Sequence, residues 1–218
     1  MKINQRNTFQ HALLLLWSLC MVQPMPAYAD SQATKPVPAA CSSHCVTPYG
    51  TVLGVAHGKV DAYSNCSSSC VIFEPNMSAG TYTGIKWQCV EFARRWLLVN
   101  KGLLYGDVDV AADIWSHITY LTRAADQKHI PLNAYPNGST IAPQPGDLLI
   151  YAKEYLNTGH VAVITDVNAI TQSVKVAEQN FTNDKWPGNY ARELDLVSAD
   201  GHYWILDAYL LGWKGIRQ

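Results

Sequence analysis

Cys89 occupies a position from which a thiol could act as a nucleophile. It begins a segment, residues 89–100, in which apolar residues recur at helical spacing before the stop signal Asn100-Lys101-Gly102. The positive end of the helix dipole would stabilise a thiolate at Cys89, and a backbone N–H there could face an oxyanion. A buried core cysteine is the alternative that position alone leaves open.

His160 is the best placed of the histidines to serve as a base. It opens the apolar run 160–165 directly after Thr158-Gly159, so a polar ring stands at the mouth of a predicted strand beside a flexible turn. A sheet could present such a ring to the start of a helix. The other histidines are interpreted as surface or capping residues: His44, His57, His117, His129 and His202.

Glu178 could orient the imidazole and stabilise its protonated form. If the strand predicted over 173–177 continues, Glu178 and Asn180 share the inward face with Val176, whereas Gln179 points away. If the strand ends at Ala177, the carboxylate would lie in solvent. The sequence therefore predicts a triad of thiol, imidazole and carboxylate, conditional on this register.

The elements that would position these residues follow from periodicity. Apolar spacing predicts helices over 89–100 and about 109–125. Short β-branched or apolar runs predict strands over 147–151, 160–165, 173–177, 191–197 and 203–206, with 210–213 as an added edge. Helices followed by an antiparallel sheet indicate an α+β fold.

Composition limits the classes of protein and partner. The 218 residues are 48% hydrophobic and 15% charged, which is typical of a globular domain large enough to fold without a metal. The 16 Lys and Arg balance 17 Asp and Glu without a long run of one sign, so no nucleic-acid partner is expected. Neither a metal nor another cofactor is predicted.

Residues 1–29 have the pattern of a secretory signal peptide. Lys2 and Arg6 precede an apolar stretch, and Ala27-Tyr28-Ala29 forms a small-x-small cleavage site. The apolar stretch, Ala12 to Cys20, is shorter than the roughly 20 residues of a membrane span, so no stable membrane anchor is expected. The sequence predicts export to the periplasm or the extracellular space, with a Ser-, Ala- and Pro-rich linker over 30–50.

Five cysteines follow the predicted cleavage site. Cys41, Cys45, Cys66 and Cys70 form two C-x3-C pairs, which in an exported protein indicate disulfides, although four cysteines allow three pairings. A four-thiolate zinc site is the alternative, but it would favour C-x2-C spacing. A thiol redox protein is disfavoured because no C-x2-C on a βαβ pattern is seen. Cys89 remains without a partner in either interpretation.

Beyond these patterns, the chain resembles the CHAP family of cysteine, histidine-dependent amidohydrolases and peptidases. Within it, the closest likeness is to the amidase domain of bifunctional glutathionylspermidine synthetase/amidase. The likeness covers roughly Val52 to Trp213 and rests on five segments in family order: KWQCVEFARR (86–95), YPNGS (135–139), TGHVAVIT (158–165), AEQN (177–180) and REL (192–194).

The resemblance implies a papain-like, NlpC/P60-type CHAP domain over 51–218, with the nucleophile helix packed on an antiparallel sheet. It implies Cys89 as nucleophile, His160 as general base and acid, and Glu178 as the residue that orients it. The backbone N–H of Cys89, and more weakly Gln88, would bind the oxyanion. Further candidates for substrate contact are Arg94 for a carboxylate, Asn180, and Trp186 as a cleft wall or a platform for an amine.

The expected function is that of an exported cysteine amidase or peptidase working through a thioester. Two substrate classes are expected, namely glutathionylspermidine-like conjugates and peptidoglycan peptides. The alternative is a catalytically silent CHAP-like binding protein.

Overall fold

A computed structural model describes residues 37–217 of the protein. The predicted signal peptide, residues 1–29, and the start of the predicted linker lie outside the described residues. Within them, no helix is both long and apolar enough to cross a lipid bilayer.

Strands make up most of the regular secondary structure in the described part of the chain, which also has two α-helices and a short 3-10 turn at Ala39–Cys41. The first half contains β1 (Val52–Ala56), β2 (Val60–Tyr63), β3 (Pro75–Ser78), β4 (Thr81–Ile85), α1 (Cys89–Lys101), β5 (Leu103–Leu104) and α2 (Asp113–His117). The second half contains β6 (Tyr120–Arg123), β7 (His129–Pro131), β8 (Asn133–Pro136), β9 (Leu148–Tyr151), β10 (His160–Asn168), β11 (Ser173–Ala177), β12 (Arg192–Ala199), β13 (His202–Ile205) and β14 (Leu210–Gly215).

A seven-stranded antiparallel sheet forms the centre of the fold. Its strand order is β13-β12-β11-β10-β9-β14-β8. The final strand, β14, was expected at an edge, but it lies between β9 and β8 and pairs with both. Burial explains its place, because Trp213 and Lys214 are both buried and an interior strand leaves neither backbone edge exposed to water. The combination of this sheet with α1 gives an α+β architecture.

Helix α1 packs its apolar side against one face of the sheet. Phe92, Ala93, Trp96 and Leu97 are buried there with residues of β9 and β10. The helix ends at Gly102, whose left-handed conformation lets its N–H bond to the carbonyl of Leu98 at 3.0 Å. The helix predicted over 89–100 is therefore present and one residue longer.

The second predicted helix, 109–125, is largely wrong. Only Asp113–His117 is helical, and Tyr120–Arg123 forms strand β6 between β5 and β7. Ile118 and Leu121 are both buried in the core, and their spacing is compatible with a helix as well as with a strand. The pairing of β6 with β5 and β7 determines that a strand forms. The Lys214 ammonium ends the short helix by donating to the carbonyls of Ile114 and Trp115, at 3.0 and 2.8 Å.

Two disulfides tie the start of the described chain to the segment before β3. They join Cys41 to Cys70 and Cys45 to Cys66, which selects one of the three pairings open to the sequence. Because the four sulfurs are bonded in pairs, they do not form the four-thiolate set of the zinc alternative. Cys89 is free and buried.

Loss of the inner disulfide should destabilise the domain. Cys45 and Cys66 are separated by 21 positions. A crosslink of that span raises the free energy of the unfolded chain by about 3 kcal/mol, because it removes conformational freedom from that chain. We expect Cys45→Ala/Cys66→Ala to lower the free energy of unfolding in urea by about that amount. The comparison belongs in a Cys89→Ala background, because the free thiol could otherwise reshuffle the remaining bridge. An unchanged unfolding midpoint would contradict the prediction.

Candidate active site

Cys89 is the first residue of α1 and is 8% exposed. Gln88 precedes it in an extended conformation, so the chain enters the helix directly at the thiol. The first N–H groups of a helix lack intrahelical acceptors, and the dipole there favours negative charge. The helix start therefore provides both a setting for a thiolate and a free donor for a developing oxyanion.

His160 is the first residue of β10 and is almost completely buried, at 1% exposure. Its Nε2 lies 2.8 Å from Oε2 of Glu178, which leaves Nδ1 to interact with Cys89. Gly159 makes the turn before it with φ +68°, and a Cβ at that position would lie 2.5 Å from the Tyr151 carbonyl oxygen. Glycine thus allows the close turn that delivers the imidazole.

Glu178 follows the last residue of β11, because the strand ends at Ala177. The expected continuation of the strand is therefore wrong, yet the carboxylate is only 3% exposed rather than in solvent. The neighbouring strand explains the burial, since the start of β10 and the end of β11 lie at the same end of an antiparallel pair.

Gln179 was expected to point away from the core, but it is 1% exposed. Its Nε2 donates to Glu91 on α1 at 3.2 Å and to the Gln88 carbonyl at 3.3 Å, and its Oε1 accepts from Arg95 at 3.3 Å. This amide joins the end of β11 to the first turns of α1. The glutamate beside it is thereby held at a fixed distance from the thiol.

The thiol and the imidazole stabilise each other as an ion pair. Burial raises the pKa of the Cys89 thiol, but the charge of His160, its hydrogen bond and backbone hydrogen bonds from Val161 and Val90 outweigh burial, so the pKa lies below its ordinary value. Burial lowers the pKa of His160, whereas Cys89 and Glu178 raise it, to about 9 overall. A lowered thiol pKa and a raised imidazole pKa together favour thiolate and imidazolium over the neutral pair near neutral pH.

Glu178 stays ionised although it is buried. Burial alone would raise its pKa, but the hydrogen bond and charge of His160, together with Arg192, lower it. Arg192 contacts both oxygens of this carboxylate. Arg192 belongs to the REL segment (192–194) that carries part of the family resemblance, but that resemblance gave it no role. The pairing of β11 with β12, which sets Arg192 opposite Val176, brings it to the site.

An open cleft of about 430 Å³ exposes this group of residues. Cys89, His160, Gln88 and Asn180 line it, as expected for residues that contact a substrate. Asp107 and Asp109 add exposed carboxylates, and no Lys or Arg is among the described lining residues. The rim is apolar and comes from Val71, Phe73, Val110 and Leu156.

The side chains of Gln88 and Asn180 are hydrogen-bonded to each other next to Cys89. The Asn180 amide donates to Oε1 of Gln88 at 2.8 Å, and Nε2 of Gln88 donates to the carbonyl of Cys70 at 3.1 Å. The Gln88 side chain, which lines the cleft, is thus hydrogen-bonded to the disulfide-tied segment. The carbonyl of Cys70 therefore links this segment to the residue that precedes Cys89.

Arg94 and Trp186 are not placed as expected. Arg94 is 5% exposed and lines a separate cavity, where its guanidinium lies over Tyr82 and donates to Asp107 at 3.0 Å. It is neither solvated nor in the cleft, although both of its contacts, Tyr82 and Asp107, line the cleft. Trp186 packs edge-on against Phe92, at 6.1 Å between ring centroids, so its role in the fold is packing.

Comparisons with known proteins relate the chain to one domain family and to several enzymes. The family model of the CHAP domain matches residues 80–180. The chain is 40% identical over 182 residues to the bifunctional glutathionylspermidine synthetase/amidase of Escherichia coli (strain K12), and 39% identical over 161 residues to trypanothione synthetase of Crithidia fasciculata. These alignments cover 76% and 73% of this chain but 29% and 24% of the relatives. The chain thus spans less than a third of their length.

The ion pair predicts fast alkylation of Cys89 near neutral pH. Iodoacetamide should modify the folded protein faster than it modifies a free model thiol, because the pKa of Cys89 is lowered. His160→Ala should reduce the rate at neutral pH by at least about tenfold, the effect of one pKa unit. Mass spectrometry of the intact protein measures the rate, with four cysteines protected as disulfides. Equal rates for folded protein and model thiol would contradict the ion pair.

Proposed function

Because the chain belongs to the CHAP domain family, which its residues 80–180 match, we propose that it is a cysteine-dependent amidohydrolase. The observation that carries the proposal is the buried chain of contacts from Cys89 through His160 to Glu178 at the floor of an open cleft. The relative named as a bifunctional glutathionylspermidine synthetase/amidase supports chemistry at an amide bond. The papain-like arrangement is part of this proposal, supported by the thiol at the start of a helix packed on an antiparallel sheet.

The reaction follows from the positions of three groups. The Cys89 thiolate attacks the amide carbonyl, and the imidazolium of His160 gives its proton to the leaving amine. The acyl group remains on Cys89 as a thioester. A water molecule, deprotonated by the now neutral imidazole, then releases the acid and restores the thiol–imidazole pair. Glu178 stays ionised throughout and stabilises the imidazolium.

The oxyanion of the tetrahedral intermediate requires a donor at the helix start. The backbone N–H of Cys89 is the best placed candidate, because the first N–H groups of a helix have no intrahelical acceptor. Gln88 is the weaker candidate, since its Nε2 already donates to the Cys70 carbonyl. Asn180 positions Gln88 through its own hydrogen bond and faces the substrate from the same side.

The charges of the cleft favour a substrate whose amine part carries additional positive charge. Asp109 is exposed on its wall, the neighbouring Asp107 is paired with Arg94, and the described lining residues include neither Lys nor Arg to bind a carboxylate. A glutathionylspermidine-like conjugate, whose polyamine chain is protonated at neutral pH, fits this wall better than a carboxylate-rich peptide. Peptidoglycan peptides therefore remain the second substrate class.

Export is part of the proposal. Disulfides persist in oxidising compartments, and the two bridges at Cys41–Cys70 and Cys45–Cys66 are compatible with a periplasmic or extracellular location. The sequence pattern of residues 1–29, read as a signal peptide, points in the same direction.

A parallel assay decides between the two substrates. The purified protein should release glutathione from glutathionylspermidine, measured by chromatography of the products, and act more slowly on peptidoglycan fragments. Cys89→Ala should abolish both activities while it leaves the thermal unfolding profile nearly unchanged, since the removed atom is one sulfur. Turnover of peptidoglycan alone would reverse the substrate preference. Binding of either compound without turnover would favour a catalytically silent binding protein.

The exposed carboxylate of Asp109 on the cleft wall leads to a prediction about substrate binding. Asp109→Asn should raise KM for a cationic amide about fivefold at low salt, which corresponds to about 1 kcal/mol of lost attraction, and should leave kcat nearly unchanged. Asp166→Asn is the matched control, because it removes the same charge from an exposed position outside the cleft. An equal effect of both substitutions would mean that net charge, rather than the wall, attracts the substrate.

A further inference from the structure

Arg192 binds both oxygens of the Glu178 carboxylate, including Oε2, which also contacts His160. Its Nε donates to Oε1 and its Nη2 donates to Oε2, at 3.1 Å for the second contact. A two-point contact between a guanidinium and a carboxylate fixes the plane of both groups, whereas a single hydrogen bond leaves the carboxylate free to rotate. The oxygen that accepts from His160 is therefore held in place by Arg192.

Asp207 and Tyr151 hold Arg192 from the other side. Nη1 donates to Oδ2 of Asp207 at 2.8 Å, and Nη2 donates to the Tyr151 hydroxyl at 3.0 Å. That hydroxyl in turn donates to Asp207 at 2.7 Å, which closes a ring of contacts. The ring of Phe181 covers the guanidinium, with 3.8 Å between Cζ and the ring centroid.

We propose that Arg192 and Asp207 are positioning residues of the active site. In this proposal Arg192 holds Glu178 against His160, and Asp207 holds Arg192 while its charge offsets that of the guanidinium. Neither residue lines the cleft that contains Cys89. The inference rests on the proposed cysteine chemistry, but it concerns how the imidazolium is stabilised rather than which substrate is cleaved.

Charge balance explains why both residues are needed. Glu178 alone stabilises the imidazolium, but it would be a carboxylate in a buried place with one partner. Arg192 supplies the second partner, and its positive charge would by itself disfavour the imidazolium. The negative charge of Asp207 offsets that effect. The charges therefore alternate along the line of contacts from the thiolate: negative at Cys89, positive at His160, negative at Glu178, positive at Arg192 and negative at Asp207.

Other titratable groups also surround the thiol–imidazole pair. Three are tyrosines, Tyr105, Tyr151 and Tyr155, whose pKa is raised chiefly by burial, so they are uncharged at neutral pH. Three are carboxylate side chains that line the same cleft: Glu91, which is paired with Arg95, Asp107, which is paired with Arg94, and Asp109. The groups in the line of contacts from the imidazole are Glu178, Arg192 and Asp207.

The first experiment removes the two-point contact between the Arg192 guanidinium and Glu178. We expect Arg192→Gln to lower the alkylation rate of Cys89 by iodoacetamide at neutral pH at least about tenfold, and kcat by a similar factor with KM changed less than twofold. Arg192→Lys keeps the positive charge but loses the two-point contact with Glu178, so its alkylation rate and kcat should fall between those of the unmodified protein and of Arg192→Gln. The matched control is Arg217→Gln, which breaks another arginine–carboxylate pair, with Asp147, beneath another aromatic ring, Tyr135.

The second experiment isolates the charge of Asp207. Asp207→Asn keeps the shape of the side chain but leaves the positive charge of Arg192 without an offset, so the imidazolium is disfavoured. We expect the pKa of His160 to fall from about 9 by about one unit, measured by NMR titration of protein labelled with nitrogen-15 at histidine. This readout needs no substrate, so it remains informative even if the proposed hydrolysis fails.

Two results would overturn the proposal. One is an alkylation rate in Arg192→Gln that matches the Arg217→Gln control. The other is an unshifted His160 titration in Asp207→Asn. If Arg192→Gln does not fold, Arg192→Lys and Asp207→Asn decide, because both retain a hydrogen-bonding group in the same place. A loss of stability common to the Arg192 and Arg217 variants, without change at Cys89 or His160, would assign Arg192 a structural role only.

Discussion

The hydrogen bond between His160 and Glu178 is the constraint on which the site depends. Both side chains are almost fully buried, at 1% and 3% exposure, and a buried charge without a partner is strongly destabilising. The fold therefore has to supply a counter-charge at each step, from Cys89 through the imidazole and the carboxylate to Arg192. The thiol–imidazole pair and the packing of this region of the sheet depend on the same contacts.

Sheet topology meets this requirement with few elements. Because β10 and β11 are antiparallel neighbours, the start of one and the end of the other lie together, which places His160 beside Glu178. Strand β12 pairs with β11 on its other side and delivers Arg192 opposite Val176. Helix α1 crosses this end of the sheet with Cys89 at its first position. Gln179 then joins the sheet to the helix.

The disulfide-tied segment extends the site beyond the residues that match the CHAP domain. That match begins at residue 80, whereas Cys70 contributes the carbonyl that orients Gln88. Val71 and Phe73, just after it, form part of the cleft rim. The two crosslinks restrict the motion of the segment that ends at Cys70, next to this part of the rim. On the acidic side of the cleft, Arg94 contacts Asp107.

The sequence by itself determined the chemistry-bearing residues, the helix that begins at Cys89 and most strands of the sheet, because local periodicity and residue type carry that information. It did not determine the fate of residues 109–125, since buried residues at that spacing suit a helix or a strand and pairing with β5 and β7 decides. The burial of Glu178 and Gln179 beyond the end of β11, the inward turn of Arg94 and the arrival of Arg192 and Asp207 also depend on tertiary structure. Each of these side chains is hydrogen-bonded or ion-paired with a residue distant in the sequence. Because a buried charge requires such a partner, its position depends on how the chain folds.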